Sequence, residues 1–243
     1  MTALLQTIAV GKTYGGIVAV DAIDMRIDEQ ELVCIIGPNG AGKSTLLGLI
    51  SGTVAPSRGQ VIVCGRDMSG RRPHEFCRAG VVRKFQGTNV FKRLSVRDNL
   101  VVAGTAVAGH ARAPLPDPDE ILDLIRLRPQ ADLAAQAISH GQRQWLEFGM
   151  TLMCRPKILL LDEPAAGMTV EDTREFSVLL GRLRARCAII VIEHDLAFVK
   201  SLGCRTLVMH QGALIRQASF QDIEQDREIR DIYLGRGKSH ASC

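Results

Sequence analysis

The stretch GPNGAGKST, Gly37 to Thr45, packs three glycines, a lysine and two hydroxyls into nine residues. It fits the pattern G-x-x-x-x-G-K-[ST], in which a glycine-rich turn curls so that backbone N–H groups converge on phosphate oxygens. Gly37, Pro38, Asn39, Gly40, Ala41 and Gly42 form the turn, Lys43 reaches the outer phosphates, and Ser44 offers a hydroxyl to Mg²⁺. Thr45 lies in the first turn of the following helix, whose positive dipole end faces the anion. Two other clusters complete a chemistry. In KILLLDEP, Asp162 and Glu163 leave an apolar run together. Asp162 can hold the hydration shell of magnesium, and Glu163 can act as general base on a water beside the terminal phosphate. IIVIEHD repeats the device with Glu193, His194 and Asp195. There His194 can hydrogen-bond the terminal phosphate and orient the water.

These groups need elements that bring them to one edge. ELVCIIG, residues 31–37, is a continuous apolar run that suits a strand buried on both faces, and LLGLISG behind the glycine turn reads as a helix ended by Gly52. Residues 157–164 and 187–195 repeat the buried-strand pattern, with a helix between them near 171–185. In an open parallel sheet, ligands bind at the carboxyl ends of the strands, where all three clusters fall. Residues 4–10 and 18–27 read as strands of an antiparallel sheet, 59–65 as a strand between glycines, and 204–217 as a hairpin around Gln211 and Gly212. Between about 88 and 155 strand signals fade. DPDEILDLIRLR and GQRQWLEFGMTLMC carry apolar residues at helical spacing. GRRPHEFCR, residues 70–78, reads as a solvated loop. One short helix and a disordered polar tail, 236–243, are expected at the end.

Composition narrows the partners. Thirty basic against 26 acidic residues give a net charge of +4, with the basic residues scattered, so nucleic acid is not an expected partner. Hydrophobic residues make up 46% of the 243, enough for one sizeable core. The seven cysteines are odd in number and contain no C-x-x-C pair, which predicts buried free thiols rather than a disulfide framework or a zinc site. No run reaches about 18 apolar residues, so membrane work by this chain requires another chain to do the spanning.

Taken in order and spacing, the phosphate loop, SHGQRQ, LLLDEP and EHD resemble the ATP-binding cassette of ABC transporters, over about residues 4–235. The resemblance implies an α/β fold: a P-loop NTPase core, 1–86 and 156–235, with an N-terminal antiparallel β-subdomain and an inserted α-helical subdomain, 87–155. It further implies that Ser139, Gly141 and Gln142 meet ATP, with Ile138 and His140 departing from the usual L-S-G-G-Q. By the same resemblance Tyr14 stacks on adenine, and Gln86 touches Mg²⁺ and the attacking water. Thr169 stands where the family often has aspartate.

Ser139 heads a helix in the insert and is not expected to reach its own phosphate loop. The family arrangement is two cassettes head to tail with ATP between them. The implied partners are a second ATPase subunit, two membrane-spanning permease subunits and, indirectly, an extracytoplasmic solute-binding protein, with the chain peripheral on the cytoplasmic face of the inner membrane. Membrane-subunit helices are expected in the groove near Gln86 to Phe91. SHGQRQWLEFGM, IEHDLAFV, HQGALI and YLG look like the importer group for branched-chain amino acids and amides. RKFQ, His140, Trp145 and VMHQG look closest to the urea importer ATPase, with a branched-chain amino-acid importer as the alternative. A DNA-maintenance ATPase would carry a long coiled coil between Gln86 and Ser139, and a translation factor would carry two cassettes. Neither fits.

Overall fold

The computed structural model describes residues 3–84, 90–108 and 114–233. The chain opens with a hairpin, β1 (Leu5–Tyr14) and β2 (Ile17–Ile27), then β3 (Leu32–Ile36), α1 (Lys43–Ser51), β4 (Arg58–Val63) and β5 (Arg66–Asp67). Next come α2 (Pro73–Ala79), β6 (Val81–Lys84), α3 (Val96–Ala108), α4 (Pro118–Leu124) and α5 (His140–Met153). The chain continues through β7 (Ile158–Asp162), α6 (Val170–Leu183), β8 (Ala188–Ile192) and α7 (Leu196–Leu202). It closes with β9 (Arg205–His210), β10 (Ala213–Ser219), α8 (Phe220–Gln225) and α9 (Arg227–Tyr233).

Two sheets form. One is antiparallel in the order β2-β1-β4-β5; the other runs β10-β9-β3-β8-β7-β6, parallel except for β10. Each of β3, β7 and β8 is buried at every residue because both faces of the large sheet are covered. Val33, Ile35, Ile158 and Leu160 face the antiparallel sheet and α1. Cys34, Ile36, Leu159 and Leu161 face the helices on the other side. That double burial is why these strands read as unbroken apolar runs instead of alternating.

Several expectations change. Residues 70–78 are not a loop: α2 occupies most of them, with Pro73 in its first turn and Glu75 Oε2 accepting from Arg72 N at 2.9 Å. Its buried anchor is Phe76, 1% exposed, which lies where a Cβ on Gly52 would sit. A seven-residue helix with one deep anchor leaves no periodic signal. Strand β6 also leaves no sequence signal, because a four-residue edge strand ending in Arg83 and Lys84 shows no apolar run. The C-terminal segment holds two short helices rather than one. Among the described residues Cys34, Cys187 and Cys204 are buried thiols, Cys77 and Cys154 are half-buried and Cys64 is exposed, so only part of the set matches the expectation. Gln86 and the tail 236–243 lie outside the described residues.

Candidate active site

The glycine turn begins where β3 ends and is held from two sides. Gly212 N, in the β9–β10 turn, donates to Ala41 O at 3.0 Å, and Asp21 N in β2 donates to Gly212 O at 2.8 Å. The approach is close enough that a Cβ on Gly42 (φ +98°) would stand 2.2 Å from Ala19 O, and one on Gly37 2.3 Å from Met209 O. Side chains are therefore excluded on packing grounds alone, apart from any ligand. Helix α1 starts at Lys43 without a side-chain cap, and its first intrahelical bond is Leu46 N to Gly42 O, 2.9 Å. The amides of Lys43, Ser44 and Thr45 precede that bond, so they are the orphan donors of a helix start. Lys43 is 8% exposed and folds back, its Nζ donating to Gly37 O at 2.7 Å and Pro38 O at 3.0 Å. Burial lowers its pKa, partly offset by Glu163 and Asp162. Asn39, Gly40 and Ser44 are exposed, so the cradle opens outward.

The acidic clusters reach the same edge through the strand register. Asp162 pairs with Ile192 across β7 and β8, and Glu163 N donates to Ile192 O at 2.9 Å. Glu163 sits at φ +47°, a left-handed conformation that costs a non-glycine residue roughly 1–3 kcal/mol. His194 Nδ1 lies 3.3 Å from Glu163 Oε1, so the proposed base and the proposed water-orienting histidine are in contact. Glu193 is buried beneath them: its Oε1 accepts from Ala165 N and its Oε2 from His194 N, each at 3.1 Å. It brackets the two strand ends, and burial pushes its carboxyl above the usual range. Asp162, 6% exposed, accepts from Arg83 Nη2 at 2.9 Å. Arg83 has no place in the sequence motifs of the site, and Glu193 stands there only as one of three polar residues ending a buried strand. The signal for Arg83 is its place in RKFQ at the end of a strand that shows no apolar run.

Ser139 is the N-cap of α5. Its Oγ accepts from Gln142 N at 3.2 Å, and Gln142 Oε1 accepts from Ser139 N at 2.9 Å, a reciprocal capping box. Gly141 has nothing within 4 Å of where its Cβ would stand, and no positive φ requires it to be glycine. Among the described residues nothing demands its small size. Tyr14 is 46% exposed at the end of β1, beneath Lys12 Nζ at 5.0 Å from the ring centroid, so it is not a core tyrosine. Thr169 caps α6, its Oγ1 accepting from Asp172 N at 3.1 Å. Trp145 is 8% exposed and packs edge-on against Phe148 and Phe176, which gives it a structural role between α5 and α6 whatever the protein's cargo.

Mg²⁺ fits this donor set only together with a phosphate. Among the described residues no three His, Cys, Asp or Glu side chains converge on one metal position. Ser44 and Asp162 alone leave most of an octahedral shell to water and phosphate oxygens, which is how magnesium is commonly bound. A cleft of about 450 Å³, lined by Glu29, Cys64, Lys157 and Arg186, lies where β7 and β8 begin, away from the strand ends that carry Asp162 and Glu193.

A family model described as ABC transporter matches residues 20–166. The high-affinity branched-chain amino acid transport ATP-binding protein BraF of Pseudomonas aeruginosa is 31% identical, covering 96% of this chain and 98% of its own. LivG of Salmonella typhimurium, described in the same words, is also 31% identical, covering 91% and 94%. The lipopolysaccharide export system ATP-binding protein LptB of Acidithiobacillus ferridurans is 29% identical over 97% of this chain and 98% of its own. Among solved structures, an ATP-binding cassette of an ABC transporter in its ADP conformation superposes with a TM-score of 0.85 at 26% identity, covering 97% of this chain and all of that one.

Proposed function

The chain belongs to the ABC transporter family, whose members hydrolyse ATP to drive transport, and from that premise we propose that it is the ATPase subunit of an importer for branched-chain amino acids. The phosphate loop binds the nucleotide through the orphan amides at the start of α1 and through Lys43, which exchanges two backbone carbonyls for phosphate oxygens. Ser44 and Asp162 would hold Mg²⁺, which when bound would supply positive charge against the phosphates. Glu163 takes the proton of the attacking water as the oxygen bonds to the γ-phosphorus and the bond to the β–γ bridging oxygen breaks. His194, in contact with Glu163, aligns that water. Gln86, carried over from the family motif, contributes to the metal and the water.

The observation that carries the head-to-tail reading is the exposed start of α5. Ser139 and Gln142 satisfy each other, and among the described residues nothing requires Gly141 to be small. Close approach by a nucleotide held on a second ATPase subunit supplies the reason. Two cassettes then neutralise the triphosphate from both sides, and loss of the γ-phosphate releases them. No helix among the described residues is long and apolar enough to cross a membrane. The proposed assembly therefore adds two membrane-spanning permease subunits and an extracytoplasmic solute-binding protein, with this chain peripheral on the cytoplasmic face. Phe91, 50% exposed, and Val101, 42% exposed, offer an apolar surface for the permease.

The cargo rests on kinship. Residues such as His140 and Trp145 favour urea or a short amide. The relatives at 31% identity carry branched-chain amino acid names, and Trp145 is accounted for by packing. The branched-chain reading therefore leads. The test is ATP turnover by the assembled complex in proteoliposomes with its binding protein. Leucine is expected to stimulate turnover several-fold, on the order of 1 kcal/mol of coupling. Stimulation by urea with no response to leucine would reverse the cargo assignment.

A further inference from the structure

The last two residues of β6 point opposite ways, as successive residues of a strand must. Arg83 Nη2 reaches Asp162 Oδ2 at 2.9 Å, with side-chain exposures of 15% and 2%. Lys84 Nζ reaches Glu147 Oε2 at 3.6 Å, with exposures of 13% and 8%. Asp162 belongs to the proposed metal site on β7. Glu147 lies in the middle of α5, two turns behind Ser139. One strand end thus grips, through adjacent cations, the metal carboxylate of this chain and the helix whose N-terminus is offered to another.

Resting on the ATPase reading above, we propose that Lys84 and Glu147 are positioning residues that fix the direction of α5, and so set where Ser139 is presented to the nucleotide on a partner cassette. Among the described residues one other polar contact ties α5 to the core, Gln144 Nε2 donating to Ala166 O at 3.0 Å, and a single such point leaves the direction of the helix open. Its contacts through Trp145, Leu146, Phe148 and Leu152 are apolar, and an aliphatic or aromatic interface tolerates rolling and sliding. A charge pair in a largely buried setting resists sliding, because separating its members gives up their attraction in a low-dielectric surround. Glu147 is about 10 Å along the helix axis from the first residue of α5, at 1.5 Å per residue. A small tilt at Glu147 therefore displaces Ser139 by a proportionate distance. β6 is also the strand from which the chain departs toward Gln86. The pair therefore ties α5 to the core where the helical segment leaves it, and sequence-local contacts cannot do that.

The experiment compares Lys84→Met, Glu147→Gln, Lys84→Arg and the double variant Lys84→Met/Glu147→Leu with the wild-type chain. It reads the affinity of each for a fluorescent ATP analogue, thermal unfolding, and ATP turnover as kcat and KM. Nucleotide affinity at the phosphate loop is expected to stay within about twofold throughout, and kcat in both single charge-removing variants to fall by about tenfold or more, the equivalent of ~1.4 kcal/mol. Lys84→Arg is expected to retain kcat within about threefold. The double variant decides between positioning and stability, since replacing a whole buried pair by apolar groups commonly preserves stability. It is expected to melt like the wild type and still show the fall in kcat. Wild-type kcat in the double variant or in both single variants overturns the proposal, as does equal loss in Lys84→Arg and Lys84→Met. Absence of turnover in the wild-type chain, alone and in its complex, would instead strike at the ATPase reading itself.

Discussion

At the scale of single residues, the site is organised around a buried acid beneath the ends of β7 and β8. Glu193 is 1% exposed and accepts two backbone N–H bonds, one from each strand-end segment, holding Ala165 and His194 together. Its folded pKa is raised, chiefly by burial. A carboxyl whose folded value exceeds its unfolded value contributes stability below the unfolded value, about 4.3, and loses it as pH rises through the folded value. Glu193→Gln removes that dependence while surrendering one acceptor at every pH. Its stability relative to the wild type is therefore expected to improve as pH rises from about 4 to 7 in urea unfolding. A flat or worsening difference would show that the fold does not hold this carboxyl above its unfolded value. The neighbouring Glu163 combines a left-handed backbone with an N–H bond to Ile192 O of β8 and a side chain 3.3 Å from His194 Nδ1.

At the scale of elements, legibility followed length and burial. Strands β3, β7 and β8 were read because double burial writes a contiguous apolar run, and α5 because its amphipathic face follows a cap at Ser139. Helix α2 was missed because seven residues hang on one anchor, Phe76. The anchor is nonetheless substantial: a fully buried aromatic truncated to alanine costs about 3–5 kcal/mol. Phe76→Ala is expected to lose stability of that order in urea unfolding, since Gly52 on α1's C-terminus and Phe76 fill one another's space. A loss below about 1 kcal/mol would return residues 70–78 to the status of a loop that happens to be helical. Thr169, where the family often has aspartate, keeps the capping function for α6. An element boundary thus survives although the carboxylate does not.

At the scale of the whole molecule, the phosphate loop, Asp162, Glu163 and His194 share one edge of the large sheet, while Ser139 stands at the head of a helix with its hydrogen bonds turned inward to its own cap. Closure of a second cassette over the nucleotide accounts for both. With hydrolysis blocked, ATP should hold that closed state. Glu163→Gln is expected to shift from monomer to dimer on adding ATP and Mg²⁺, and adding Ser139→Ala to it is expected to weaken the dimer by about 1–3 kcal/mol through the lost cap and the lost phosphate contact. Light scattering behind size exclusion reads both. A Glu163→Gln chain that stays monomeric at saturating ATP alone, yet dimerises with a related ATPase chain, would place the working pair as a heterodimer. One that dimerises with neither would remove the head-to-tail arrangement.

Chemistry that is local is legible in the residues alone. The glycine turn, its lysine and hydroxyl, and the acids at two strand ends are contiguous, because a strand followed by a turn delivers consecutive residues to one place. What those groups touch depends on how distant segments pack. Arg83 meets Asp162 from 79 residues away, His194 meets Glu163 across a strand register, Gly212 braces Ala41, and Lys84 meets Glu147 in another element. Such pairs leave no spacing to read. They are set by the order β9-β3-β8-β7-β6, which is fixed by packing summed over the entire sheet and not by any stretch of chain within it.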